Sequence, residues 1–305
     1  MGSIPGGVHV LDMHEGTSGL TVVLLSGVHG NEPAGLEAAV QVTERIRACQ
    51  FGFEGSIYAV VANPMAVSKG QRYIDEDLNR IWTAETIARA RAQPRNVEEQ
   101  QMRSLLDLLD HIEATSEKVV FVDLHSTSAP GTPFGATTVG DVRGLSLMAI
   151  PVPMILGLET FIRGALLDHV RQRGHPAVVF EGGQHDAPET VANLRCCVWS
   201  VVPTARRAID EIEDDLYDVI RRGEGPPRWL EVFDAHRIQP GDEFKMAPGF
   251  ENFWPVRRGD LLARDRDGEI HAQTDGFLLM PLYQGQGAEG FLLAKPCADP
   301  RDDPL

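Results

Sequence analysis

Strand-sized apolar runs alternate with helix-spaced apolar positions through the first 220 residues. Leu20–Leu25 and Val119–Val122 are almost wholly apolar, which is typical of strands covered on both faces. Ser56–Val61 and Ala177–Phe180 predict two further strands. Helices are predicted at Gly35–Ala48, Val97–Ala114, Phe161–Gln172 and Pro188–Arg221. This alternation predicts an α/β fold, with a mostly parallel or mixed sheet and helices on both of its faces.

The pattern changes near the turn-rich segment Gly223–Pro227. Short β-like runs follow, separated by turn dipeptides at nearly even spacing. These runs are Trp229–Ile238, Leu261–Arg264, Glu269–Ala272, Phe277–Leu279 and Phe291–Leu293. We therefore predict a catalytic domain over residues 1–222 and a small all-β domain over residues 223–305.

The turn rhythm of this β-rich tail also resembles that of lipoyl- and biotinyl-carrier domains. A carrier domain presents its lysine at a hairpin tip, and neither Lys245 nor Lys295 lies at such a position between β-runs. We therefore interpret the tail as a domain that covers part of an active site.

Charge and composition exclude several classes of partner. The chain has a net charge of -16, which disfavours binding to nucleic acid and to anionic membrane surfaces. An acidic small molecule would need a local cluster of arginines. Met1–His14 lacks the pattern of a secretory signal, and the four cysteines show no CxxC spacing. We expect a cytoplasmic protein, while the choice between a single chain and a homo-oligomer stays open.

Ionisable residues follow three of the predicted strands. Ser26–Ala34 follows the first strand, Asp123–Thr127 the third and Glu181–Gly183 the fourth. Carboxyl ends of parallel strands meet at one edge of a sheet, where such folds bind ligands. His185 comes shortly after the last motif and is a candidate for the rim of the same site.

The first two motifs contain the donors of a metal centre. His29 and Glu32 are three positions apart in a glycine-flanked turn, so an imidazole and a carboxylate can converge on one ion, with His125 as a third ligand. Two histidines, one carboxylate and an open position are a common catalytic zinc shell. Asp123 is placed to accept the second ring hydrogen of a ligand histidine, and Ser26 is a candidate for a similar role. Taken singly, each histidine would more often be a hydrogen-bonded residue at a strand end.

Four motifs in order carry a family resemblance. Gly27–Glu32, Arg72–Arg80, Asp123–His125 and Glu181–Gly183 resemble those of the aspartoacylase/succinylglutamate desuccinylase family, a branch of the zinc carboxypeptidase superfamily. A lone HxxE motif occurs by chance in many proteins, whereas the four motifs in this order are specific. The resemblance covers about the first 220 residues, and the β-rich tail also resembles this branch.

The resemblance implies one Zn2+ ion per chain and a set of catalytic residues. His29, Glu32 and His125 would bind the metal, and Glu181 would be the general base that takes a proton from a metal-activated water. Arg72, together with the metal, would stabilise the charge that develops on the substrate carbonyl oxygen. Zinc suits these ligands best, although cobalt or manganese can occupy such a shell.

The resemblance also implies substrate-binding residues. Asn79 and Arg80 would hold a substrate carboxylate, for which a planar guanidinium is suited. Arg171 is a candidate for a second carboxylate, with Arg173 as its competitor and a helix C-terminal cation as the alternative role. Tyr283 is either a hydrogen-bond donor that reaches the site from the tail or a residue of the β-domain core.

The function that follows is hydrolysis of the amide bond in an N-acyl amino acid or similar small carboxylate. A zinc carboxypeptidase acting on short peptides is the nearest alternative, because that superfamily shares the metal shell and the Asn-Arg pair. A non-catalytic binding protein of the same fold is disfavoured because every ligand and the base are present. No GxSxG motif supports a serine hydrolase. The acyl group is not fixed by the sequence, and Ala129–Leu158 is a candidate to shape its pocket.

Overall fold

The computed structural model describes residues 9–17, 19–48, 53–144, 150–202 and 225–302. The strands are β1 (Val10–His14), β2 (Leu20–Ser26), β3 (Ser56–Val61), β4 (Lys118–Thr127), β5 (Phe134–Ala136), β6 (Met154–Leu156), β7 (Ala177–Gln184), β8 (Trp229–Arg237), β9 (Lys245–Met246), β10 (Trp254–Val256), β11 (Leu261–Asp265), β12 (Gly268–His271), β13 (Gly276–Leu279) and β14 (Glu289–Pro296). The helices are α1 (Ala34–Ala48), α2 (Pro64–Lys69), α3 (Ala84–Ala92), α4 (Val97–Thr115), α5 (Val139–Gly144), α6 (Leu158–Phe161), α7 (Leu166–Gln172) and α8 (Thr190–Val201), and a 3-10 turn covers Leu78–Arg80. Within these residues, no helix has both the length and the apolar character needed to cross a bilayer.

A mixed eleven-stranded sheet runs through the molecule. Its order is β1-β3-β2-β4-β7-β5-β6-β8-β14-β13-β10. The central strands β3, β2, β4 and β7 are parallel, whereas β1 is antiparallel to β3 and β5 is antiparallel to β7. The four strands of the sequence analysis are these central ones, and the predicted α/β class is confirmed.

Helices cover both faces of the parallel region, and the middle of its strands is apolar on both sides. Along β2, Val22 and Leu24 belong to one buried cluster with residues of α1 and α8. Val23 and Leu25 point the other way, into a second cluster with residues of α4 and α7. Successive side chains of a strand alternate between faces, so a strand with two covered faces has no polar side.

The tail contains only strands among its described elements, as predicted. β9, β11 and β12 form a separate antiparallel sheet, while β8, β14, β13 and β10 extend the main sheet. The joint is a parallel pairing of β8 with β6, in which Met154 is opposite Trp229. The boundary between residues 222 and 223 lies outside the described residues, so the division into two domains stays a prediction.

Two predicted helices differ from the structure. The prediction of one helix over Phe161–Gln172 is wrong, because α6 ends at Phe161 and α7 begins at Leu166. Between them Gly164 has a φ of +72°, and a Cβ there would lie 2.4 Å from the carbonyl oxygen of Arg80, so no other residue fits without rearrangement. For Pro188–Arg221, α8 covers Thr190–Val201, and residues 203–224 lie outside the described part.

Candidate metal centre and active site

Three strand ends bring the sequence motifs together. β2, β4 and β7 are neighbours and parallel, and in this register His125 is opposite Glu181. The turn after β2 packs tightly on α2, since a Cβ on Gly30 would lie 2.1 Å from the backbone of Ala66. This contact holds the turn that carries His29 at the carboxyl end of the central strands.

His29, Glu32 and His125 converge on one point. Nδ1 of His29 is 2.8 Å from Oε1 of Glu32, and Nδ1 of His125 is 3.0 Å from Oε2 of the same carboxylate. One ligand atom from each of the three lies within 4.8 Å of the others, and all three residues are buried. Two imidazole nitrogens and a carboxylate in this arrangement can hold a metal ion.

A second carboxylate stands behind each histidine. Nε2 of His29 is 3.2 Å from Oδ1 of Asp77, and Nε2 of His125 is 3.0 Å from Oδ2 of Asp123. The latter contact is close but not aligned as a hydrogen bond, and the Asp123 carboxylate has no hydrogen-bond partner among the described residues. Such carboxylates fix the orientation of ligand histidines, here with both Nδ1 atoms towards Glu32. Asp123 was predicted for this position, whereas Asp77 was not.

The electrostatics of this cluster suit a cation. Burial alone would raise the pKa of Glu32, but the charges of His29 and His125 outweigh it and hold that pKa well below its usual value. Burial alone would also raise the pKa of Asp77, but the charges of His29 and Arg72 hold that pKa well below its usual value. Because several ionised carboxylates are buried together, a divalent ion among them would compensate charge that is otherwise costly to bury.

Glu181 behaves differently from the carboxylates around it. Its side chain is buried and its Oε2 has no hydrogen-bond partner in the part of the chain that the structure describes. Burial raises the pKa of Glu181 to about 8, the charge of His125 opposes this rise, and the negative charges of Glu32 and Asp123 add to it. A buried carboxyl group whose pKa lies near neutrality is suited to accept and return a proton.

Arg72 lies beside the His29 turn. Its Nε is 3.1 Å from Oδ2 of Asp77, and its Nη1 is 3.8 Å from Oε1 of Glu32. The guanidinium therefore lines the same cavity as the histidines and Glu181.

Asn79 and Arg80 line this cavity on the 3-10 turn. Oδ1 of Asn79 accepts a hydrogen bond of 2.9 Å from the backbone N–H of Leu166, at the start of α7. Arg80 forms an ion pair with Glu289 of β14, at 2.6 Å. Glu289 was not anticipated from the sequence, and its separation of 209 residues from Arg80 left no local signal.

Of the two competing arginines, the structure brings Arg171 to the cavity. Arg171 is held there by Asp141, at 2.6 Å, and by Asp168, at 3.5 Å. Arg173 instead pairs with Asp110 and is not among the residues that line the cavity.

Tyr283 is not brought to the cavity. Its hydroxyl donates to the carbonyl oxygen of Ala247 and accepts from the N–H of Phe250, both within the tail. Its neighbour Gln284 does line the cavity, and Oε1 of Gln284 accepts a hydrogen bond of 2.8 Å from Asn31.

His185 connects two parts of the cavity wall. Its Nδ1 is 2.8 Å from the hydroxyl of Ser126, and its Nε2 is 3.3 Å from Oε1 of Gln284. Burial lowers the pKa of His185. The imidazole therefore supports two residues that line the cavity, one on the sheet and one in the tail.

The chain is similar to known proteins in sequence and in fold. A succinylglutamate desuccinylase from Idiomarina loihiensis is 25% identical over 276 residues, covering 84% of this chain and 76% of the relative. The crystal structure of a succinylglutamate desuccinylase from Vibrio cholerae has a TM-score of 0.65 at 16% identity, covering 92% of this chain and 82% of the other. An ectoine utilization protein from Ruegeria pomeroyi, solved with product bound, has a TM-score of 0.63 at 19% identity, covering 93% and 87%. These two structures share the fold.

A family model matches the part of the chain that contains the three candidate metal ligands. Residues 18–137 match the model described as succinylglutamate desuccinylase/aspartoacylase catalytic domain. That range includes His29, Glu32 and His125, as well as Arg72, Asn79 and Arg80, and it ends before Glu181. The resemblance expected from the ordered motifs is therefore confirmed.

Proposed function

We propose that this chain is a zinc-dependent deacylase of the succinylglutamate desuccinylase/aspartoacylase family. It would hydrolyse the amide bond of an N-acyl amino acid or similar small carboxylate. The observation that carries this proposal is Glu181, a buried carboxyl group with an unpaired oxygen, on the same cavity as the His29–Glu32–His125 cluster and three arginines.

His29, Glu32 and His125 would hold one Zn2+ ion per chain, with Asp77 and Asp123 orienting the two imidazoles. Nitrogen and carboxylate donors at such spacing fit zinc, and they leave room in its shell for water and substrate. When bound, the ion would polarise the scissile carbonyl and make a water molecule more acidic.

Glu181 would move the protons of the reaction. Its carboxylate accepts a proton from the attacking water as the water oxygen bonds to the amide carbon. It then delivers that proton to the amide nitrogen as the carbon–nitrogen bond breaks, which releases a carboxylic acid and an amine. Burial raises the pKa of Glu181 and a bound cation would lower it again, so the group can be ionised to accept the proton and can still return it near neutral pH.

The arginines would position and stabilise the substrate. Arg72 faces the Glu32 and Asp77 side of the cluster, where its guanidinium can donate to the carbonyl oxygen as negative charge develops there. Asn79 would donate its Nδ2 hydrogens to the substrate carboxylate beside Arg80, since its Oδ1 already accepts from Leu166.

A small substrate is favoured over a long peptide. Six tail residues line the cavity: Met280, Leu282, Gln284, Gly287, Glu289 and Leu292. Because the tail forms one wall, an extended chain has less access than in an open cleft. This argues against extended peptides, so the alternative is restricted to a zinc carboxypeptidase that acts on short peptides.

The proposal is tested by elemental analysis of purified protein together with activity on N-acyl amino acids. We expect about one zinc per chain, its loss in His125→Ala, and amine release from at least one N-acyl amino acid. Glu181→Gln should retain the metal and lose activity. Wild-type protein that retains zinc and releases no amine from a broad panel would refute the deacylase function.

A further inference from the structure

A carboxylate of the tail already occupies the arginine that is assigned to substrate binding. Glu289 contacts Arg80 through two oxygens, with Oε2 2.6 Å from Nη2 and Oε1 3.3 Å from Nε. Nη1 of Arg80 also donates to the carbonyl oxygen of Asn79, at 2.8 Å. The two charged side chains are only 18% and 11% exposed, so water screens their attraction weakly. The charge of Arg80 is therefore neutralised before any substrate binds.

The other arginines of the cavity are paired as well. Arg171 is held by Asp141 and Asp168, and Arg72 is held by Asp77. In the described lining, six carboxylates face three arginines. A divalent ion at the metal centre would add two positive charges and would not make the cavity positive.

We propose that Glu289 determines the substrate class of this site. Resting on the deacylase function proposed above, the inference is that the substrate carries one carboxylate and that its side chain is neutral or cationic. One carboxylate can be bound by Asn79 and by the two N–H groups of Arg80 that Glu289 and Asn79 leave unused.

A second carboxylate on the substrate meets a different environment. It would find no unpaired arginine in the described lining, and it would face Glu289 and Asp168. Like charges in a partly desolvated site repel strongly, whereas an ammonium group would be attracted to the same two carboxylates. Glu289 thus acts as a specificity residue that the tail supplies to the catalytic part.

The test compares substrates that differ in side-chain charge on the zinc-loaded full chain. N-acetylasparagine and N-acetylaspartate differ by one charge, and Nα-acetylornithine adds an ammonium group. We expect wild-type kcat/KM to favour asparagine and ornithine derivatives over the aspartate derivative by tenfold or more, on the order of the penalty for juxtaposed like charges. Glu289→Gln should reduce this preference about tenfold. The matched control Glu231→Gln removes an exposed carboxylate of β8 and should leave the preference unchanged.

Calorimetric binding of free aspartate and asparagine separates this inference from the deacylase function. If no acyl derivative is hydrolysed, but asparagine binds more tightly than aspartate and Glu289→Gln removes the difference, the function fails and the role of Glu289 stands. If hydrolysis occurs and Glu289→Gln behaves like Glu231→Gln, the role of Glu289 is overturned. A wild-type preference for aspartate would also overturn it. Should Glu289→Gln fail to fold, the wild-type ratio for asparagine over aspartate decides, and a ratio of one or less overturns the inference.

Discussion

Replacing Glu181 by glutamine should stabilise the metal-free protein, and increasingly so as pH rises. Glu181 has a pKa of about 8 in the folded chain, against an ordinary value of 4.5 for a glutamate side chain. Between these values the unfolded chain has released this proton and the folded chain still holds it. The free energy of unfolding therefore falls as pH rises, because the folded state binds more protons. Glu181 thus contributes stability that is fully present below about pH 4.5 and lost by about pH 8. A glutamine cannot ionise and lacks this dependence.

The size of the effect follows from the width of this pH window. Each pH unit is equivalent to about 1.4 kcal/mol for one proton. From pH 5 to pH 8 the stability difference between Glu181→Gln and wild type should therefore change by at most about 4 kcal/mol, with relaxation of the site and water entry reducing it. The sign of the change is fixed: the free energy of unfolding of Glu181→Gln increases relative to that of wild type at each higher pH.

Urea unfolding in the presence of a chelator measures this difference at pH 5, 6, 7 and 8. Other groups with shifted pKa values, such as Glu32 and Asp77, are common to both proteins and cancel to first order in the difference. Glu231→Gln serves as the control, since that side chain is exposed. If the difference in the free energy of unfolding stays constant over the four pH values, the inference that Glu181 is buried and protonated at neutral pH is refuted.

Three further changes test other parts of the site. Asp77→Asn and Asp123→Asn should each weaken zinc binding by roughly 10- to 100-fold in a competition assay with a chelating dye, because each orients a ligand histidine; unaltered affinity in both would contradict that role. Arg72→Lys should lower kcat by about 100-fold or more with a smaller change in KM, as expected for a group that acts on developing charge, and an effect on KM alone would point to ground-state binding instead. Gly164→Ala should lower stability by roughly 1–3 kcal/mol in thermal or urea unfolding, because of the positive φ and the contact with the Arg80 carbonyl; wild-type stability would show that the turn relaxes easily.

Elements and site residues that are marked by a local pattern, such as an apolar run or a short motif, were predictable from the sequence. The buried strands β2, β4 and β7 are apolar runs, and the residues at their ends meet because parallel neighbours share one edge. His29, Glu32 and His125 follow from that rule together with the spacing of their motifs.

Residues that act through distant contacts were not predictable in this way. Asp77 reaches His29 across 48 positions, Gln284 reaches Asn31 across 253, and Glu289 reaches Arg80 across 209. Asp77 lies inside the Arg72–Arg80 motif, but nothing in that motif links it to His29. The other two pairs depend on how the tail folds back onto the first part of the chain. Short strands such as β5 and β6, with three residues each, have too few positions to show alternation.

The parallel pairing of β6 with β8 has a consequence for engineering this chain. A chain that ends near residue 222 lacks β8. The backbone donors and acceptors of β6 would then be unpaired at an exposed sheet edge, beside apolar side chains that are buried in the full chain. Exposed edges of this kind associate with one another, and native proteins protect them. We therefore expect a shortened chain to aggregate rather than to persist as a smaller folded protein.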